Sequence, residues 1–251
     1  MFTVAADAYD RFMGRYSTPL APQMADYARV VPGQRVVDVG CGPGALTTEL
    51  VQRVGPDAVS AVDPSEPFVA AAKERHPGVD VRLASAEQLP FDDDAFDGSL
   101  AQLVVHFMAD PVKGLQEMGR VTRPGGVVAA CVWDHAGGTG PLSPFWEAAR
   151  SLDAGVDDES QLAGAREGHL AELFEQAGLV DVEDTALSVT VEHASFDAWW
   201  EPFTRGVGPA GAYVASIDPE QQARLRERCR SKFDAWGSSQ TVRAWAARGL
   251  A

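Results

Sequence analysis

Three glycines in five positions, Gly40, Gly42 and Gly44, follow the short run Val36-Val37-Asp38-Val39. Glycine at this density lets a chain turn sharply and lets a ligand lie against the backbone, because no Cβ stands in the way. Leu46, Leu50, Val51 and Val54 then recur at helical spacing, so the loop opens a helix. The first N–H groups of a helix favour electron-rich ligand groups. Asp63 closes a second apolar run, where a carboxylate can accept hydrogen bonds from both hydroxyls of a ribose. Ser65 is placed to cap the following helix, which leaves Asp63 available. A nucleotide-type ligand is the chemistry this pattern supports; a plain βα turn would need a single glycine.

The loop does not choose among such ligands. Gly40, Gly42 and Ala45 satisfy the dinucleotide-binding fingerprint, with Asp63 about 20 residues on. Ala86 and Glu87 sit just past a third strand, where an adenine amino group could be read. His106, just after a fourth strand, falls at the mouth of the same site and is the candidate general base, with a loop-packing role as the bland alternative. His76 reads as a solvated turn residue, and His135, His169 and His193 as surface or loop residues. Tyr9, Phe12, Met13, Tyr16 and Leu20 form an apolar stripe, either core or a lid over the glycine loop. The acidic run Asp92–Asp94 has no second cluster with which to hold a cation and reads as a solvated loop.

These residues need a scaffold, and the chain supplies an alternating one. Strands are expected over Arg35–Val39, Ala58–Val62, Val79–Leu83, Asp97–Val105 and Val127–Trp133. Helices are expected over Ala45–Val54, Pro67–Arg75 and Pro111–Val121, and a tight turn over Thr122–Gly126. A helix over residues 7–20 should weaken at Gly14 and break near Pro19. This is a doubly wound, mostly parallel α/β sheet, with ligands at the carboxyl ends of its strands. Beyond Trp133 the spacing predicts helices over Pro144–Ala154, Gly168–Gln176 and Pro219–Trp236, strands over Val180–Val191 and Thr241–Ala247, and an aromatic segment over Phe196–Phe203. The reading is one domain over residues 1–251: a cofactor core at 7–133, with cap insertions at about 134–178 and 194–238.

A chain of 251 residues with 45% hydrophobic content can bury a substantial core. Its net charge of −15 argues against a nucleic-acid partner, which requires a basic footprint. The alternating basic residues Arg224, Arg226, Arg228, Arg230 and Lys232 scatter around a helix axis and read as a solvated face. No membrane-spanning run and no basic leader with an apolar core is visible, and the three scattered cysteines fit reduced thiols in a cytoplasm.

Taken in order, Asp38-Val-Gly-Cys-Gly-Pro-Gly44, Asp63-Pro64-Ser65, Ser85-Ala86-Glu87-Gln-Leu-Pro-Phe91, Asp94-Ala-Phe-Asp97 and Arg120-Val-Thr-Arg-Pro-Gly-Gly126 resemble class I S-adenosylmethionine-dependent methyltransferases. The branch that looks most similar contains the ubiquinone- and menaquinone-biosynthesis enzymes, and Tyr9–Tyr16 resembles its small-molecule members. The resemblance covers residues 7–133 and implies a seven-stranded sheet with an antiparallel last strand. It implies S-adenosyl-L-methionine as cofactor, with Gly40, Cys41, Gly42 and Gly44 near its methionine part and Asp38 orienting the loop. It further implies Asp63 on the ribose, Pro64 beside the adenine, Ala86 and Glu87 at the adenine edge, and Gln102 near the amino end or the transferring methyl. Tyr9 and Met13 would cover the cofactor from the lid. The acceptor it implies is a small molecule, and the aromatic second half hints at apolar or aromatic parts. A nicotinamide-dependent oxidoreductase and a non-catalytic cofactor-binding protein of the same fold are the rival readings.

Overall fold

The computed structural model describes residues 9–251; the expected helix start at residues 7 and 8 lies outside them. The apolar strands are apolar on both faces because helices cover both. Along the fifth strand Ala129, Cys131 and Trp133 enter one buried cluster, and Val128, Ala130 and Val132 enter the other. Seven strands form one sheet: β1 (Val36–Val39), β2 (Val59–Asp63), β3 (Asp80–Leu83), β4 (Phe96–Gln102), β5 (Thr122–Trp133), β6 (Val180–Glu192) and β7 (Ser239–Leu250). Their order is β3-β2-β1-β4-β5-β7-β6. The pairs among β1 to β5 are parallel, and β7 runs antiparallel between β5 and β6. The expected doubly wound sheet with an antiparallel last strand is the observed one. Strand order reverses between β1 and β4, the place where an open α/β sheet leaves a crevice at its carboxyl edge.

Helices α1 (Arg15–Tyr27), α2 (Ala45–Val54) and α3 (Glu66–Arg75) pack on one face through Leu20, Met24, Leu46, Leu50, Val69 and Ala72. Helix α4 (Pro111–Val121) covers the other face through Leu115, Met118 and Val121. Helix α5 (Ser143–Leu152) belongs to a third apolar cluster, while α6 (His169–Gln176) returns to the sheet and buries Leu170, Leu173 and Phe174 beside α4. Residue positions counted with the cap at 134–178 therefore divide between two layers. Helices α7 (Phe196–Trp200), α8 (Gly208–Ser216) and α9 (Pro219–Trp236) complete the third cluster, in which Phe145 stacks on Phe203 with centroids 4.6 Å apart. Phe12 joins it from the N-terminal segment.

Several expectations are corrected. The helix does not break at Pro19: α1 contains both Pro19 and Pro22, preceded by a π-helical turn over Asp10–Gly14. Each interior proline costs about 3 kcal/mol, and the fully buried Leu20 and Met24 offset that cost. Strand β4 stops at Gln102 rather than Val105, because Leu103 adopts a φ of +64° and gives its N–H to Cys131 O. A 3-10 turn, Val105–Phe107, follows and carries His106. The expected turn at Thr122–Gly126 is instead the start of β5. Helix α8 has no counterpart among the sequence expectations.

Candidate functional site

The glycine loop is held from below by a buried carboxylate. Asp38, 1% exposed, accepts a 2.6 Å hydrogen bond from Thr47 Oγ1, so it ties β1 to the first turn of α2. Burial pushes its carboxyl up to about 7, with Asp63 adding a smaller upward push against the downward pull of Thr47. Gly40, Gly42 and Gly44 have φ of +73°, +53° and +100°, a region that side chains disfavour. A Cβ on Gly40 would lie 2.5 Å from Val104 Cγ1, whereas one on Gly42 would meet nothing within 4 Å. The loop amides are spoken for: Gly40 and Cys41 donate to Val62 O, and Gly44 donates to Cys41 O. A ligand here meets the open face at Gly42 rather than a row of free donors.

Asp63, 6% exposed, closes the loop. Its Oδ2 accepts from Gly42 N at 2.9 Å and its Oδ1 from Ser65 N at 2.8 Å. Burial raises its pKa, and these two amides hold it down in part. Each carboxylate oxygen keeps a second lone pair for a further donor. The side chain of Ser65 does not cap α3, so the reason given in the sequence for an available Asp63 does not hold, while its lone pairs remain.

These groups line a cleft of about 1010 Å³, including its open mouth. Tyr9, Asp38, Gly40, Cys41, Gly42, Asp63, Pro64 and Gln102 are brought together there. On the other side of β1 from Asp63, at the end of β4, Gln102 donates through Nε2 to Ser17 O at 3.0 Å, and its buried Oε1 has no partner. Tyr9 meets Phe68 at 5.2 Å between ring centroids, and both line the cleft. Ser17, Phe68, Leu103 and Phe107 also line it, and sequence reasoning missed all four. Phe68 could have been found by its place one turn beyond Asp63; Leu103 enters only because of its unusual backbone. No lysine or arginine lines the cleft among the described residues.

The remaining sequence candidates lie elsewhere. Gly44 stands behind the loop, where an added Cβ would approach His76 Nε2 at 2.8 Å. Ala86 is buried in the cluster beneath α4, and Glu87 Oε1 accepts from Ala109 N, so neither lines the cleft. Cys41 is buried, and desolvation holds its thiol well above the ordinary range. His76 is not merely solvated: its Nε2 lies 3.2 Å from Thr48 Oγ1. His193 is not a surface residue; it is 3% exposed, between Tyr16 Oη at 3.3 Å and Gln240 Oε1 at 3.2 Å.

Met13 and His106 line a second, shallow pocket of about 430 Å³ including its open mouth, which shares Tyr9, Leu103 and Phe107 with the cleft. His135, read from the sequence as a surface or loop residue, is half-buried there with both ring nitrogens covered, 5.7 Å from His106 between ring centroids. Burial drives His106 well below the ordinary histidine range and His135 down to about 4, so both rings are neutral at pH 7. Glu159, also lining this pocket, accepts from Trp146 Nε1 at 2.8 Å, and burial pushes its carboxyl up to about 7.

The chain matches the methyltransferase domain family over residues 37–130. An uncharacterized methyltransferase of Mycobacterium tuberculosis is 38% identical over 133 residues, 53% of this chain and 51% of that protein. The chain thus spans about half the length of that relative. A demethylmenaquinone methyltransferase of Paenarthrobacter aurescens is 30% identical over 183 residues, 66% of this chain and 70% of that protein. Among solved structures, a phosphoethanolamine N-methyltransferase of Haemonchus contortus in complex with S-adenosyl-L-methionine superposes with a TM-score of 0.57, at 19% identity over 99% of this chain and 60% of that one. By its relatives and by its seven-stranded sheet, the chain belongs to the methyltransferase family of the class I, Rossmann-like type.

Proposed function

We propose that this protein transfers a methyl group from S-adenosyl-L-methionine to a small organic acceptor with apolar or aromatic parts. The observation that carries the reading is the orphaned Gln102 Oε1, buried in a cleft that also holds the Asp63 carboxylate across β1. A buried acceptor without a partner is expensive, at about 1–3 kcal/mol, and an ammonium group would satisfy it. The spare lone pairs of Asp63 suit ribose hydroxyls, and the open face at Gly42 suits the connecting chain. The residues present therefore fit the cofactor. Asp63, with no lysine or arginine in the lining among the described residues, also suits its positive sulfonium.

When bound, the cofactor supplies a methyl already made electrophilic by positive sulfur. The chain's own work is placement. Asp63 holds the sugar, and Gln102, tied to Ser17 O, presents Oε1 to the amino group. Pro64, Phe68 and Tyr9 flank the base, and Asp38 keeps the loop in register with α2. Leu103 and Phe107, common to both pockets, exclude water at their junction. Orientation of this kind supplies about 7–11 kcal/mol in favourable cases. His106 belongs to the acceptor side, where it can receive a proton from the acceptor.

The unit reads as one domain, with residues up to Trp133 holding the cofactor and the aromatic cluster around Phe145 and Trp199 shaping the acceptor side. Among the described residues no helix is long and apolar enough to cross a membrane. Its three cysteines are buried and unpaired, which suits the reducing cytoplasm where we place it. The nicotinamide reading rests on the loop fingerprint alone, and the family assignment gives it no support. Incubation with methyl-tritiated S-adenosylmethionine and a panel of apolar alcohols, thiols and amines should label one class. Cofactor binding without transfer to any member would favour the non-catalytic reading.

A further inference from the structure

The second pocket concentrates unmet hydrogen-bonding capacity in apolar surroundings. Trp133 Nε1, His106 Nδ1 and both ring nitrogens of His135 are buried without a partner. Other indoles, such as Trp199 and Trp245, also bury an unpartnered nitrogen, so a single one would carry nothing. Here three side chains that carry such atoms, from two strand ends and their loops, line one cavity, whose other walls include Phe12, Leu142 and Val207. The cavity also lacks fixed charge. Among the described residues no lysine or arginine lines it, and the two histidines are neutral at pH 7. Among the described residues Glu159 is its only carboxylate and, raised to about 7, carries no full charge there. The nearby charges are consumed outside it: Asp134 accepts from Gly137 N and Thr139 Oγ1, and Asp158 accepts from Ser160 N and pairs with Arg150.

A neutral imidazole offers one donor and one acceptor, and an indole one donor. A hydroxyl, which both donates and accepts, matches that set; an ammonium lacks a lone pair, and a carboxylate lacks a proton and would be desolvated without a cation. We propose that this pocket reads a single uncharged hydroxyl on a flat, apolar acceptor through Trp133, His106 and His135, and excludes charged acceptors. Trp133 Nε1 donates to the hydroxyl oxygen, and one imidazole nitrogen receives its proton as a hydrogen bond. This rests on the methyl-transfer reading of the same site and adds to it the class of acceptor and two specificity residues, Trp133 and His135.

The test is calorimetric titration of the full chain, saturated with S-adenosylhomocysteine, by four probes of one shape: 2-naphthol, 2-methoxynaphthalene, 2-naphthoate and 2-naphthylmethylammonium. 2-Naphthol should bind at least about tenfold tighter than each of the others, as expected when a site built for a hydroxyl loses its donor. Trp133→Phe and His135→Leu should each weaken 2-naphthol by about tenfold and leave the affinity for S-adenosylhomocysteine unchanged. Equal or tighter binding of either ion, or no binding of any probe to the loaded wild-type protein, overturns the inference without needing a variant. Failure of the wild-type chain to bind S-adenosylhomocysteine strikes the methyl-transfer reading first and takes the inference with it.

Discussion

Gly40 and Gly42 look alike in the sequence and do different work. A Cβ at Gly40 would press on Val104 at 2.5 Å, while Gly42 opens on the cleft. Gly40→Ala should lower the unfolding free energy by about 1–3 kcal/mol, and Val104→Ala should recover part of that loss. Strict additivity of the two in urea denaturation would refute the contact. Asp63→Ala should weaken S-adenosylhomocysteine at least tenfold, since charged hydrogen bonds are worth about 1.5–3 kcal/mol each; calorimetry showing unchanged affinity would remove Asp63 from the site. Asp38 carries its own pH signature. Its folded-state value is raised from 3.8 to about 7, so folding takes up a proton between those values and its contribution to stability falls as pH rises through that window. Relative to Asp38→Asn, the parent should lose stability from pH 4 to 7, and a difference flat in pH would contradict the buried carboxylate. Residue types at the loop were legible because a dense glycine run has few other uses. His135 was not, because its burial comes from the fold-back of the loop after Trp133, which leaves no local pattern.

At the scale of elements, periodicity gave β1, β2, β3 and the helices α2, α4 and α9 closely. It failed where tertiary burial overrides local preference. Pro19 and Pro22 say stop, but α1 continues because its stripe of Tyr16, Leu20 and Met24 is buried against the sheet. Leu20→Ala should therefore cost about 2–5 kcal/mol in denaturant unfolding, as for a fully buried leucine; a loss below about 0.5 kcal/mol, typical of surface sites, would show that the packing does not hold the helix. The early end of β4 at Gln102 was also invisible, since nothing in Leu103 announces a left-handed residue. That turn matters: it ends the strand with Gln102 Oε1 unpartnered in the cleft and sends the chain into the 3-10 turn that carries His106.

Across the whole molecule, the strand order creates a crevice beside β1 and β4, and the alternation of strands and helices in the first half made that architecture readable. The aromatic half was readable only as composition: its helices α5, α7, α8 and α9 form a cluster whose walls come from distant segments, including Phe12. The net charge of −15 and the absence of lysine and arginine from the linings of both pockets, among the described residues, suit the positive cofactor and the uncharged acceptor proposed above. A cofactor that binds only the folded chain stabilises it by about 2.7 kcal/mol at a hundredfold excess over Kd, so binding also has a thermal readout. The most direct test of the central claim is calorimetric titration of the wild-type chain with S-adenosylhomocysteine and, separately, with NADH. One equivalent of S-adenosylhomocysteine binding per chain, with no heat from NADH, is the predicted result; binding of NADH in its place would contradict the account.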